Sequence, residues 1–151
     1  ALPISWITVG ILELLELADV GAGVREYLIE CLKKQVNTLI DLQAANGAWH
    51  TLLDHPDSYI EISATAGFGY GLLKGARIGI GDERWLQAGM KALEIVQDNI
   101  DAAGTVHNVS YGTRMGRTLQ FYKDIPLQPT GYGQALAILC LSEGLRLADK
   151  K

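Results

Sequence analysis

Ser58-Tyr59-Ile60-Glu61-Ile62-Ser63-Ala64-Thr65-Ala66-Gly67-Phe68-Gly69-Tyr70-Gly71 is the most constrained stretch of this chain. The stretch has no Pro and is crowded with small residues. Each glycine disfavours a helix by about 1 kcal/mol relative to alanine. A helix over 58–77 therefore needs close packing against a neighbour or a ligand as compensation. Ser58-Tyr59-Ile60-Glu61 fits a capping box, in which the Ser hydroxyl accepts from the backbone three residues on and the Glu reaches back. The second reading of Glu61 is that it faces a substrate.

Outward from this stretch, helical patterns dominate. Ile4, Ile7, Ile11, Leu14 and Leu15 recur at spacings of three and four and predict a helix over 4–18. Val24, Leu28, Cys31, Leu32, Val36, Leu39 and Ile40 predict a second over 23–44. Trp85, Leu86, Met90, Leu93 and Val96 mark a helix over 82–99, with Asp82 as its N-cap. Leu136, Leu139, Cys140 and Leu145 mark the last, over 131–148. Short turns at 19–23 and 79–81 alternate with long loops at 45–57 and 101–130. The alternation in Thr105-Val106-His107-Asn108-Val109-Ser110-Tyr111 predicts a small β-hairpin in the second long loop. Loops this long inside a compact domain are usually functional.

The pattern repeats. Gly47 and His50 recur as Gly104 and His107, 57 positions on, and Gly69-Tyr70-Gly71 recurs as Gly131-Tyr132-Gly133, 62 positions on. The unit is helix, short turn, helix, long loop, and it must stack on copies of itself to bury its apolar face. One uncovered helix face forfeits on the order of 10 kcal/mol, as much as the whole stability of a typical domain, about 5–15 kcal/mol. The expected architecture is all-α: tandem helical hairpins forming part of a closed (α/α)6 ring. Six such hairpins need roughly 340 residues on the repeat length, so residues 1–151 are expected to be one part of a single barrel domain. The exposed end helices are expected to meet either the missing hairpins or a second copy.

Composition narrows the function. With 13 Lys and Arg against 17 Asp and Glu, the net charge is −4, which argues against a nucleic-acid partner. No apolar run approaches the ~18 residues of a membrane span. Cys31 and Cys140 both lie in apolar stretches and read as inert thiols rather than a disulfide framework. His50, His55 and His107 lack metal-ligand spacing, and no phosphate-loop or zinc signature occurs. His50 and His107, at equivalent repeat positions, either fix their loops by a hydrogen bond or line a cleft at the long-loop face. Asp54, Asp57 and Asp124 are loop carboxylates, and glycoside chemistry needs a carboxylate acid, usually with a second carboxylate at a defined separation. Trp6, Trp49, Tyr59, Tyr111 and Tyr122 sit at helix starts or in long loops, where flat rings suit sugar faces. Core packing is the competing reading, strongest for Trp49 and Trp85.

Ser5-Trp6-Ile7, Gly47-Ala48-Trp49-His50, Ser58 to Ala66, Tyr70-Gly71, Lys74-Gly75, Val109-Ser110, Gly112-Thr113 and Tyr132-Gly133-Gln134 together resemble the unsaturated uronyl hydrolases of glycoside hydrolase families 88 and 105, above all the unsaturated rhamnogalacturonyl hydrolases. The resemblance covers nearly the whole chain in one order and falls on the C-terminal part of the family's sequence. It implies a six-hairpin α/α barrel. It also implies removal of a 4,5-unsaturated uronic acid from pectin- or glycosaminoglycan-derived oligosaccharides, by hydration of the vinyl-ether double bond. An Asp acts as general acid and then base in that reaction, with neither metal nor organic cofactor. No position here matches that Asp, so no catalytic residue is assigned and the chain alone is expected to be inactive. The family's substrate-binding Arg-Gly-Asn-x-Trp segment falls on Leu2-Pro3-Ile4-Ser5-Trp6, where only Trp6 is retained. Trp6 is carried over as a sugar-stacking residue and Tyr122 as part of a loop reaching over the pocket. His50 and Glu61 complete the expected substrate-binding set. The family usually acts in the bacterial cytoplasm. The alternative function is a non-catalytic α/α-repeat module that binds oligosaccharide or a protein.

Overall fold

The small-residue stretch becomes the central helix. In a computed structural model, which describes residues 1–148, the elements are α1 (Leu2–Leu17), α2 (Ala22–Asp41), α3 (Ile62–Arg77), α4 (Glu83–Asp98), α5 (Leu119–Lys123) and α6 (Gly131–Ala148). Helix α3 packs on α1, α4 and α6, while α2 lies against α1 and α4. The result is a row of α1, α3 and α6 backed by α2 and α4. Every residue from Ile62 to Gly75 is buried.

The glycines allow that burial. A Cβ on Gly67 would stand 2.8 Å from Ser5 Cβ, and one on Gly71 would stand 2.5 Å from Thr8 Cγ2. The helix α1 therefore approaches α3 along a seam of Ser5 and Thr8 against Gly67 and Gly71. On the other flank, a Cβ on Gly69 would lie 2.9 Å from Cys140 Sγ and 3.1 Å from Ala92 Cβ. The packing partner that the sequence demanded is thus the fold's own helices. Real interiors leave no spare volume at such crossings.

Two predicted details differ. The third helix starts at Ile62, not at 58. Its N-cap is Glu61 itself, whose carboxylate accepts from the backbone N–H groups of Ser63 and Ala64. Ser58 is held elsewhere: its hydroxyl donates to the His55 carbonyl (2.7 Å) and serves its own loop. The cause is that Ile60 stays extended to bridge with His50. The expected β-hairpin is also not formed among the described residues. Val106 pairs with Ile100 and Ser110 with Leu127, as isolated bridges. The alternating segment thus has partners in two separate stretches and makes no ladder.

The repeat is real at the level of single hydrogen bonds. Gly47 N–H donates to Ala44 O (2.8 Å) and Ala44 N–H to Ala48 O (2.9 Å). Displaced by 57, Gly104 N–H donates to Asp101 O (2.9 Å) and Asp101 N–H to Thr105 O (3.1 Å). Both glycines have positive φ, 93° and 84°, a region open to Gly and costly for a side chain. Asp82 caps α4 as predicted, accepting from Arg84 and Trp85 N–H. Trp49 and Trp85 are core residues. Cys31 is half-buried, whereas Cys140 is fully buried, and its thiol is pushed up to about 12 by burial.

The end of α3 remote from the long loops is clamped to both neighbours. Lys74, 1% exposed, pairs with Glu13 and with Glu16 (2.6 Å) on α1. Arg77 makes two bonds to Glu143 of α6 (2.6 and 3.0 Å), and Arg146 adds a third (2.7 Å). Beyond these contacts the row has uncovered apolar edges. Ile7 and Leu14, seven residues apart on α1, are 56% and 43% exposed, and Ile138 and Leu145 on α6 are 55% and 67% exposed. No helix among the described residues is long and apolar enough to cross a membrane.

Candidate functional site

The helices α1, α3 and α6 all begin at the end of the row where the two long loops meet. Glu61 organises that end. Its fully buried carboxylate accepts from Ser63 Oγ (2.8 Å), Ala64 N–H (2.5 Å) and, across the long loop, Ser110 N–H (3.0 Å). The loop is drawn in further by tyrosines. Tyr59 and Ser110 share a hydroxyl hydrogen bond of 2.9 Å, and Tyr132 donates to the Ser110 carbonyl while accepting from Gly112 N–H (2.7 Å).

From Gly112 the chain rises into an arch. Its far foot is Gly116, whose N–H donates to Tyr122 Oη (3.0 Å). A Cβ on Gly116 would strike the Phe121 ring at 2.0 Å, so the turn seats directly on that ring. Thr118 then caps α5 by accepting from Phe121 N–H (3.2 Å). The residues between the two feet, Thr113, Arg114 and Met115, stand between two open clefts. One, of about 320 Å³, is bounded by Tyr111, Arg114, Phe121 and Asp124. The other, of about 360 Å³, is bounded by Pro3, Ile4, Thr51, Arg114, Met115 and Tyr122. Apolar rings and stems with a few polar groups are the lining that saccharide faces require.

The predicted site residues separate into two groups. Tyr122 lines the second cleft, with its hydroxyl spent on holding the arch. Trp6 is 44% exposed and lies one turn along α1 on the face it shares with Pro3. It lines neither cleft directly. Glu61 reaches no cleft at all, because its oxygens are enclosed by donors from α3 and the loop. His50 donates from Nδ1 to Ser58 O (2.5 Å) and so fixes the 50–58 loop. His50 also borders a shallow hollow beside α2, away from the arch. His107 donates from Nε2 to Asp101 Oδ2 (2.7 Å). Sequence reasoning missed Arg114 and the Ser110–Tyr132 anchor. The available signal for the anchor was Tyr132 in the repeated Gly-Tyr-Gly motif.

The His107 bond has a pH consequence. It is the largest influence on the Asp101 carboxyl, followed by backbone N–H bonds from Thr105 and Ala103, and together they hold it at about 2 against an ordinary 3.8. A depressed carboxyl contributes stability that is present above its unfolded value and is lost as pH falls through the folded one. The loop should therefore stay closed from neutral pH down past 4 and open toward pH 2. NMR of the Ala103 and Thr105 amides should show a midpoint nearer 2 than 3.8. The substitution His107→Ala should raise that midpoint.

The model of Glycosyl Hydrolase Family 88 matches residues 3–148, and the chain belongs to this family of glycoside hydrolases. Among individual relatives, the chain is 34% identical over 116 residues to the unsaturated rhamnogalacturonyl hydrolase YesR of Bacillus subtilis, covering 76% of this chain and 32% of that protein. Two solved structures, each described as a possible GH105-family member, superpose closely. The one from Klebsiella pneumoniae is 46% identical with a TM-score of 0.89, covering 95% of this chain and 38% of that one. The one from Salmonella enterica serovar Paratyphi A is 44% identical with a TM-score of 0.90, covering 95% and 39%. The chain thus spans about a third of the curated relative and about two fifths of the structural ones. The helical row matches part of the helical toroid of these structures.

Proposed function

We propose that residues 1–151 form the C-terminal hairpins of an unsaturated uronyl hydrolase and supply one wall of its substrate site. The observation that carries this reading is family membership over nearly the whole chain, combined with two clefts at the end where the row's helices begin. The substrate is an oligosaccharide from pectin or a glycosaminoglycan that ends in a 4,5-unsaturated uronic acid. Water adds across the double bond, and the resulting hemiketal opens and releases the sugar. The aspartic acid that moves the proton comes from hairpins outside this chain. Tyr122 offers a ring face to the saccharide in the second cleft, Trp6, half-exposed one turn along α1 from Pro3, offers one only to a sugar that extends past that cleft, and Glu61 and His50 hold the loops that shape the wall. The uncovered edges on α1 and α6 support docking of the remaining hairpins of the ring.

The test is loss of the double-bond absorbance with an unsaturated disaccharide. The chain alone is expected to give no turnover, and the chain joined to the missing hairpins of a family member is expected to give turnover. Turnover by the chain alone would place the acid within residues 1–151. Binding of oligosaccharide without turnover by the completed ring would support the non-catalytic module instead.

A further inference from the structure

We propose that Arg114 is the specificity-determining residue by which this site selects a saccharide carrying an anionic group beyond the reacting uronate. The inference rests on the saccharide-binding reading above and adds the charge of the neighbouring sugar to it.

Arg114 is exposed at the crest of the arch and borders both clefts. It is the one charged side chain lining the larger cleft. Among the described residues it makes no ion pair and no side-chain hydrogen bond. The other charges nearby are engaged. Lys123 pairs with Asp57. Asp124, on the wall of the smaller cleft, accepts from Gln120 Nε2 (2.8 Å) and keeps its negative charge there, so the anion is assigned to the larger cleft, whose lining holds Arg114 and no carboxylate. Arg117 lines neither cleft.

A guanidinium between aromatic walls can grip a carboxylate or sulfate with two parallel N–H donors, while sugar C–H groups rest on the rings. A lysine offers only a point charge on a flexible stem. The arch makes this recognition inexpensive in entropy. Gly112 and Gly116 are pinned by Tyr132 and Tyr122, so the backbone that carries Arg114 is already ordered when the ligand arrives. In a chain of net charge −4, an unpaired cation at the mouth of the clefts also offsets the repulsion an acidic saccharide meets on approach.

The test is calorimetric titration of the chain joined to the missing hairpins of a family member, wild type and Arg114 variants, with three trisaccharides at low salt. The first is a galacturonate trisaccharide, the second keeps the non-reducing galacturonate and is neutral beyond it because its two inner sugars are galactose, and the third keeps the same galacturonate with those two sugars 6-sulfated. Arg114→Ala is expected to weaken binding of the preferred anionic trisaccharide at least tenfold and to change the neutral one less than twofold. Arg114→Lys should recover part of the loss. Preference between the galacturonate and sulfated arms identifies which anion the residue takes. Equal binding of both anionic ligands by wild type and Arg114→Ala overturns the assignment and leaves the saccharide reading intact. Failure of wild type to bind any of the three overturns the saccharide reading, and this inference with it. Because Arg114 is exposed and unpaired, unchanged circular dichroism and melting should accompany the variant.

Discussion

Replacing Glu61 by Ala is expected to lower stability by about 4 kcal/mol, with the unfolding midpoint in urea as the readout. Loss of an N-cap alone costs about 1 kcal/mol. Glu61 does more, because its oxygens also receive the Ser63 hydroxyl and the Ser110 N–H from across the loop. Removing it strands both donors in the interior, at about 1–3 kcal/mol each. Glu61→Gln should recover only part of the loss, because an amide turns one acceptor into a donor that faces other donors. A second effect separates this role from simple capping. The arch begins at Gly112, two residues after Ser110, so Glu61→Ala should also loosen Thr113–Met115. Faster amide exchange there, without a comparable change at α4, is the expected signature. A loss below 1 kcal/mol would mean that solvent or a neighbouring group replaces the carboxylate.

The second large effect is expected at the other end of α3. Glu143 is fully buried and receives Arg77 through two bonds and Arg146 through one. Glu143→Ala leaves the mostly buried Arg77 without its partner, and breaking a buried pair in this way costs about 3–5 kcal/mol. Arg77→Ala should cost less, because Arg146 still neutralises Glu143. The double variant Arg77→Met, Glu143→Leu should recover most of the stability, since apolar residues of similar volume often replace buried ion pairs at little cost. A double-mutant cycle in urea gives the coupling directly. Additive single losses would show that the two side chains act independently.

These two residues also show how far the sequence could be read. The helices α1, α2, α4 and α6 were legible because apolar residues at spacings of three and four leave little else for the chain to do. The repeat was legible because Gly47 and Gly104 mark a turn that only a few residues tolerate. The start of α3 was misplaced because the Ser58–Glu61 spacing satisfies a local capping rule, whereas the His50–Ile60 bridge that overrides it is a contact between separate parts of the loop. The hairpin failed for the same reason: alternation shows that a segment is extended and says nothing of its partners. Charge pairs on α3 were invisible, because Lys74 and Arg77 in a helix pattern read equally well as a solvated edge. The site was half legible. Tyr122 stood out as a loop aromatic, but the importance of Arg114 depends on which neighbouring charges are already paired, and only the folded structure shows that.

The arch between Gly112 and Gly116 makes its tripeptide replaceable as a unit. Its feet are fastened through main-chain groups to two phenols, so the fastening does not depend on which side chains occupy positions 113 to 115. Three codons can therefore be rewritten without disturbing the helices beneath. Replacing Thr113-Arg114-Met115 as one cassette should therefore leave the melting temperature unchanged while it alters what the two clefts present.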